Sequence, residues 1–563
     1  MDYKKHISEK LATNEVTAEE ILSLIVSQTG EKGDFALPCF KFAKLLKKSP
    51  VQIAEGFKSV FDGDSAFSKI ESVAGYLNFF TSKAEYSKMI LEEILELGEN
   101  FGTSNMGEGK TICIDYSSIN IAKPFHIGHL STTAIGASLY RTYKHLGFDV
   151  VGINYLGDWG TQFGKMISAY RRWGDKELIE KGGVDELVKI YVKFHKEAEF
   201  DDELNDEARG YFKQIEDGVP EIVELFNWFK KITLEEVGKI YDILGITFDS
   251  YNGESFFNDK MQPVIEELKE KNLLVESNGA HIVDLEPYGM PPCLILRSDG
   301  ATLYATRDLA AAEYRAKTYN FYKSLYVVAY QQNLHFKQVF KVLELAGKEY
   351  AKDMVHVAFG MVSVEGKPLS TRGGNVVLLK DALAKSADKA KEIMREKNPN
   401  LENLDEIAKT VGYGAVVFFA LSNSRIKDID FCYDKALSFE GESGPYVQYT
   451  FTRCGSVLAK AKEAGIDFSN ISYENVSDTE FELLKLLSGY KETLVDVIEK
   501  YEPSYIARRL LDIAKAYNKF YYEHRILNAE EDVKNLRLAI TKATADVLKG
   551  GLSLLGVGVP EKM

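Results

Sequence analysis

Asp115 to Leu130 read DYSSINIAKPFHIGHL. The run before it, TICID from Thr111 to Asp115, is β-branched and apolar and predicts a short buried strand. Ser131 to Lys144 predicts a helix, and Val150 to Tyr155 the next strand. The quoted stretch is therefore a loop between a strand and the helix after it. In a parallel α/β sheet such loops lie at the carboxyl ends of the strands, where ligands bind. The helix start adds free N–H groups and a positive dipole end, both suited to phosphate.

Within the loop, His126 and His129 stand three residues apart at the helix start. Two imidazoles so placed can point the same way and donate N–H groups to phosphate oxygens. Gly128 removes a side chain, so a flat ring can approach the backbone. The same spacing also suits two surface or core histidines. A zinc pair is a third reading, but H-E-x-x-H is absent and nothing nearby completes a ligand set. No metal-binding residue is predicted.

HIGH at 126–129 resembles the ATP signature of class I aminoacyl-tRNA synthetases. SSINIAKPFHIGHLSTTAIG (117–136) with GDWGTQFG (157–164) is similar to the arginyl branch of that family. The resemblance covers nearly the whole chain. It implies a multidomain α/β protein: a Rossmann-like class I catalytic core with a helical insertion, a small N-terminal α/β domain and a C-terminal all-α bundle. It also implies two-step arginine charging. The arginine carboxylate attacks the α-phosphorus of ATP, and the acyl group then passes to a ribose hydroxyl at the tRNA end. The implied partners are L-arginine, ATP carrying Mg²⁺, and tRNA(Arg), with a monomer as the expected form.

With 563 residues, several domains are expected. No apolar run reaches the ~18–20 residues a membrane span needs. MDYKKHISEK lacks the apolar region of a signal peptide, and the five cysteines are scattered without C-x-x-C. Both features predict a reducing cytoplasm. The net charge of −15 argues mildly against nucleic acid, although local basic patches can still bind it.

Residues 1–108 predict the N-terminal domain, with a helix over Thr17 to Gln28, a second over 33–46 and a strand over 74–82. GDFALPCFKFAK (33–44) resembles the family module that grips the outer corner of the tRNA, and Phe35 and Phe40 could stack on bases. Residues 109–380 predict the catalytic domain, with a charged helical insertion at about 166–290 that shows no chemistry of its own. NYLGDWGTQFG (154–164) predicts a pocket wall or a structural turn. In 293–315 a strand and a turn precede a helix from about Asp308, and 325–340 opens with a strand ending at Tyr330. Residues 381–430 predict a connector and 431–563 the anticodon-binding bundle. There Arg508, Arg509, Lys515, Lys519 and Arg525 lie among Tyr501, Tyr505, Tyr517, Tyr521 and Tyr522, a mixture suited to single-stranded RNA. Tyr449 and Arg453 are further tRNA candidates.

The resemblance assigns His126, Gly128 and His129 to ATP. The segment matching the family's KMSKS loop is PLSTR (368–372), where Leu369 and Ser370 fit but Thr371 replaces the usual lysine. Lys123, just upstream of HIGH, is expected to supply the missing charge on the leaving pyrophosphate, with Lys367 and Arg372 as alternatives. Arginine needs carboxylates, because its guanidinium is a planar fork of donors. Asp115 and Asp308 are the candidates, with Tyr304 one helical turn before Asp308. Asn120 would hold the amino-acid backbone, and Gln332, or its neighbour Gln331, matches the family's glutamine. A glutamyl-type synthetase should bring basic residues to the pocket instead. A nucleotidylyltransferase should be much shorter. A synthetase-like RNA-binding protein without charging activity is the alternative outside catalysis.

Overall fold

The computed structural model describes residues 3–28, 32–298, 302–368 and 377–563. The chain divides into two compact units. One comprises residues 102–452, 490–511 and 548–563. At its centre lies a parallel four-stranded sheet, ordered Met354–His356, Lys323–Tyr326, Thr111–Asp115, Asp149–Ile153. Every connection in it is a helical crossover, as parallel pairing requires. From Thr111–Asp115 the chain passes through helix Leu130–His145 to the strand on one side. From Lys323–Tyr326 it passes through helix Asn333–Leu345 to the strand on the other. The crevice between the two central strands is thus a topological switch point, the place where such sheets take ligands. The signature loop rises from its edge.

The sheet is central because both faces of Thr111–Asp115 and of Lys323–Tyr326 are covered. Ile112, Cys113, Ile114 and Leu325 are all fully buried. The insertion adds helices up to Pro220–Leu244 and an antiparallel sheet of Leu274–Ser277, Ala280–Val283 and Cys293–Leu296. Two element boundaries differ from the sequence expectation. The helix carrying Asp308 begins at Tyr304, so Asp308 sits in its second turn. The strand expected to end at Tyr330 ends at Tyr326, and Tyr330–Gln332 is a 3₁₀ turn. Residues 381–430 are also more than a helical connector: Ile429–Phe431 returns as a strand parallel to Val362–Val364, the strand before the KMSKS-like segment.

The other unit comprises residues 1–101, 453–489 and 512–547. Its antiparallel sheet is ordered Val26–Ser27, Phe35–Pro38, Tyr76–Thr81, Phe67–Val73. The helix expected over 33–46 is corrected: Phe35–Pro38 is a strand, and only Ala43–Leu46 is α-helical. Strand pairing with Tyr76–Thr81 overrides the helix-like spacing of its apolar residues. The helix predicted from Thr17 is shorter, Ala18–Leu24, with Thr17 as its cap in a reciprocal box with Glu20.

Candidate active site

The signature loop holds three non-glycine residues in the left-handed region: Ser117 at φ 67°, Ser118 at 43° and Ala122 at 58°. Such strain persists only where the surroundings over-determine it. Ser117 N–H donates to Thr132 Oγ1 at 3.1 Å, and Ser117 Oγ accepts from Thr133 Oγ1 at 2.9 Å. Ala122 N–H donates to Thr233 Oγ1 at 3.1 Å, and Tyr241 Oη lies 2.7 Å from Ser117 Oγ. Thr233 and Tyr241 belong to helix Pro220–Leu244, so the insertion braces the loop. Asn120 bridges in parallel to Gly157. A Cβ on Gly157 would fall 2.5 Å from Asn120 Oδ1, so the GDWG turn must carry glycine there.

The two signature rings lie with centroids 4.0 Å apart and planes tilted by 37°. His126 Nδ1 accepts from Gly128 N–H at 3.1 Å, and His129 Nδ1 accepts from His126 N–H at 3.2 Å. With its Nδ1 accepting, neutral His126 carries its proton on Nε2, which is left to donate; His129 Nδ1 also lies 3.3 Å from His126 O, so either of its nitrogens can carry the proton. Burial lowers the pKa of both rings. That of His129 falls to about 3, pushed further down by neighbouring His126. Both rings are therefore neutral donors at pH 7, and both remain partly reached by solvent.

The carboxylates differ from expectation. Asp115 is buried, and the guanidinium it meets is the chain's own: Arg315 Nη2 lies 2.7 Å from Oδ2, and Ser118 Oγ donates to Oδ1 at 2.7 Å. Asp115, expected to meet the substrate's guanidinium, is thus paired here with a cation of the chain itself. Asp308 is half-exposed and pairs with His335 Nε2 at 2.6 Å. Tyr304, at the first turn of the same helix, is exposed. A second carboxylate, missed in the sequence, is Glu254. Burial raises its pKa to about 7, Arg307 opposes the rise, and Asp308 and Asp158 add to it. Asp158 fixes the loop, accepting from Ser255 N–H at 2.9 Å and from Lys230 Nζ at 2.7 Å. Tyr155 is partly buried, with its hydroxyl turned away from solvent. Its pKa rises by burial and then by the charges of Asp308 and Glu254, and its hydroxyl has no hydrogen-bond partner among the described residues.

Lys123 connects the two groups of residues. Its side chain is exposed, yet surrounding protein atoms lower its pKa by desolvation, against the pull of Glu254. Its charge in turn contributes to lowering the pKa of His129. Imidazoles, ammonium and carboxylates therefore lie within electrostatic reach of one another. Gln331 and Gln332 are both exposed at the start of helix Asn333–Leu345. Leu369, Ser370, Thr371 and Arg372, and the side chain of Lys367, lie outside the described residues. The segment after them is pinned to the signature: Ile127 N–H donates to Val377 O at 2.9 Å and Leu379 N–H to Phe125 O at 3.0 Å.

Among the RNA candidates, Phe35 is half-buried and stacks on Tyr3 with ring centres 5.9 Å apart. Phe40 is exposed beside Tyr76, 5.2 Å away. Tyr517 is fully buried, whereas Tyr449, Tyr521 and Tyr522 are exposed. Arg453 donates to Asn518 and lies over the Tyr521 ring. Arg508 is exposed, and half-buried Arg509 donates to Thr493 Oγ1 at 3.0 Å.

Comparison with known proteins agrees with this architecture. Residues 91–433 match the family described as tRNA synthetases class I (R), catalytic domain. Residues 447–563 match the DALR anticodon binding domain, and residues 1–81 the arginyl tRNA synthetase N terminal domain. An arginine–tRNA ligase of Clostridium botulinum is 52% identical over 100% of both chains, and one of Halothermothrix orenii 50% identical over 100% of both. The solved arginyl-tRNA synthetase of Thermus thermophilus superposes with TM-score 0.80 at 25% identity, covering 100% of this chain and 99% of that one. The catalytic match and these relatives together show that the chain belongs to the arginyl-tRNA synthetase family.

Proposed function

We propose that the chain ligates L-arginine to tRNA(Arg) through an arginyl-adenylate, releasing AMP and pyrophosphate. The observation that carries this reading is the cluster of Glu254, Asp308 and Tyr155 within charge range of Lys123 and the histidine pair. A cation that needs planar acceptors and a triphosphate that needs donors can be bound together there.

In this reading His126 and His129 donate Nε2–H to phosphate oxygens, and Lys123 meets the charge that builds on the departing pyrophosphate. Asp308 and Glu254 take the guanidinium, with Tyr304 beside them. Asn120 and Gln332 hold the amino-acid end. Positioning of the arginine carboxylate against the α-phosphorus supplies much of the rate. Mg²⁺ would arrive on the ATP phosphates, which bridge it as oxygen ligands. Leu369, Ser370 and Arg372 are assigned to ATP, and Phe40, Tyr449, Arg453, Arg508 and Arg509 to tRNA. We infer a monomer acting in the cytoplasm; among the described residues no helix is long and apolar enough to cross a membrane. An RNA-binding role without charging is not favoured, because the phosphate donors and the acidic pocket are both present.

Asp308→Ala tests the assignment. Loss of a charge-assisted acceptor should raise KM for arginine about 100-fold while leaving that for ATP nearly unchanged. Equal effects on both would reject the role.

A further inference from the structure

Arg315 is a fully buried cation two helical turns beyond Asp308. Its guanidinium lies at the ends of three neighbouring strands of the parallel sheet that feed the site. It pairs with Asp115, the last residue of Thr111–Asp115, at 2.7 Å. It lies 5.1 Å from the ring centre of Tyr326, the last residue of Lys323–Tyr326, and 5.3 Å from that of Tyr155, two residues past Asp149–Ile153. Each strand end opens into a loop of the site: the signature loop after Asp115, the turn holding Gln332 after Tyr326, and the GDWG turn after Tyr155. Asp115 then passes the constraint on, because its second oxygen accepts from Ser118, one of the three left-handed residues.

A buried ion pair is a poor way to gain stability, since desolvating two charges offsets much of their attraction. What it supplies is a fixed geometry. Helix Tyr304–Tyr319 carries Asp308, proposed for the guanidinium, while the strained loop carries Asn120, proposed for the amino-acid end. Arg315 joins that helix to that loop.

We propose that Arg315 is a positioning residue that sets the separation between Asp308 and Asn120, and hence the length of amino acid the site accepts. The inference rests on the arginine-charging reading above. It assigns Arg315 no contact with substrate, and its planar fork between two aromatic faces is what a lysine cannot reproduce.

The test compares wild type, R315K, D115N and the double variant R315K/D115N in steady-state tRNA charging. Arginine, ATP and homoarginine, one methylene longer, are varied in turn. Small misplacements of a binding group cost about 10- to 100-fold, so R315K and D115N should raise KM for arginine by about that factor and leave KM for ATP within about twofold. The preference for arginine over homoarginine should relax by about tenfold. The double variant should be no worse than the poorer single one, as for residues acting as one unit. D115N keeps the side-chain shape, so it carries the test if R315K folds poorly. Unchanged constants in both variants would overturn the inference, as would a parallel rise for arginine and ATP with discrimination intact. If wild type charges arginine and the variants behave in either of those ways, the inference alone fails. If wild type charges no arginine, the underlying reading fails and the inference goes with it.

Discussion

One side chain, Glu254, sets how the site responds to pH near neutrality. Burial lowers the pKa of His126 and His129, that of His129 to about 3, so the neutral form of His129 is present throughout pH 5–8. Glu254 behaves in the opposite sense. Its pKa is raised from 4.5 to about 7, so the free site binds a proton there below about pH 7. A guanidinium requires the ionised form, so arginine binding is strongest above pH 7 and weakens as pH falls, by up to about tenfold per unit. KM for arginine should therefore rise between pH 8 and pH 6, and Glu254→Gln should flatten that dependence while raising KM at pH 8. A flat wild-type profile would remove Glu254 from the arginine site. For Lys123, truncation to alanine should slow adenylate formation about 100-fold or more, the scale expected for a lost electrostatic stabiliser. An unchanged rate would return the role to Lys367 or Arg372. Neither Glu254 nor Arg315 was legible from the sequence. Glu254 opens a 3₁₀ helix within FDSYNGESFFND, with no motif around it, and its raised pKa comes from burial together with the charge of Asp308 on a distant helix. Asp115 was legible as an acidic residue at a strand end, but its partner, two hundred positions away, was not.

The elements that carry the signature were legible because their periods are clear. TICID gives the strand Thr111–Asp115 and the next helix spans Leu130–His145, within a residue or two of the sequence reading. The start of the Asp308 helix was misread because its cap, Leu303, makes no side-chain hydrogen bond and so offers no polar start signal. Close packing between strand end and helix gives a prediction at this scale. A Cβ on Gly136 would lie 2.2 Å from Cβ of Tyr116, which is itself fully buried. Gly136→Ala should cost about 1–3 kcal/mol through overpacking and lower Tm by several degrees. An unchanged Tm would mean that helix Leu130–His145 is not held against the signature loop as described. Breaking the buried Asp115–Arg315 pair by removing one partner should cost about 3–5 kcal/mol, more than either residue is worth as a surface charge.

At the scale of the whole molecule, class I architecture was legible from one loop because HIGH on a strand–loop–helix restricts the fold to few solutions. The loop between the signature helix and the second half of the sheet was not: 166–290 was read as solvated helices, yet Thr233 and Tyr241 hold the signature loop and Glu254 enters the acidic cluster. A chain of net charge −15 that acts on RNA must do so through local basic features rather than through its overall field. The central claim is that one cleft joins a guanidinium to a nucleotide triphosphate and delivers the product to RNA. The most direct measurement is charging of tRNA(Arg) by the full chain with ATP and labelled arginine, with lysine and glutamate as competitors. The account predicts ATP-dependent, arginine-selective ester formation at the tRNA 3′ end; tRNA binding without any esterified arginine would contradict it.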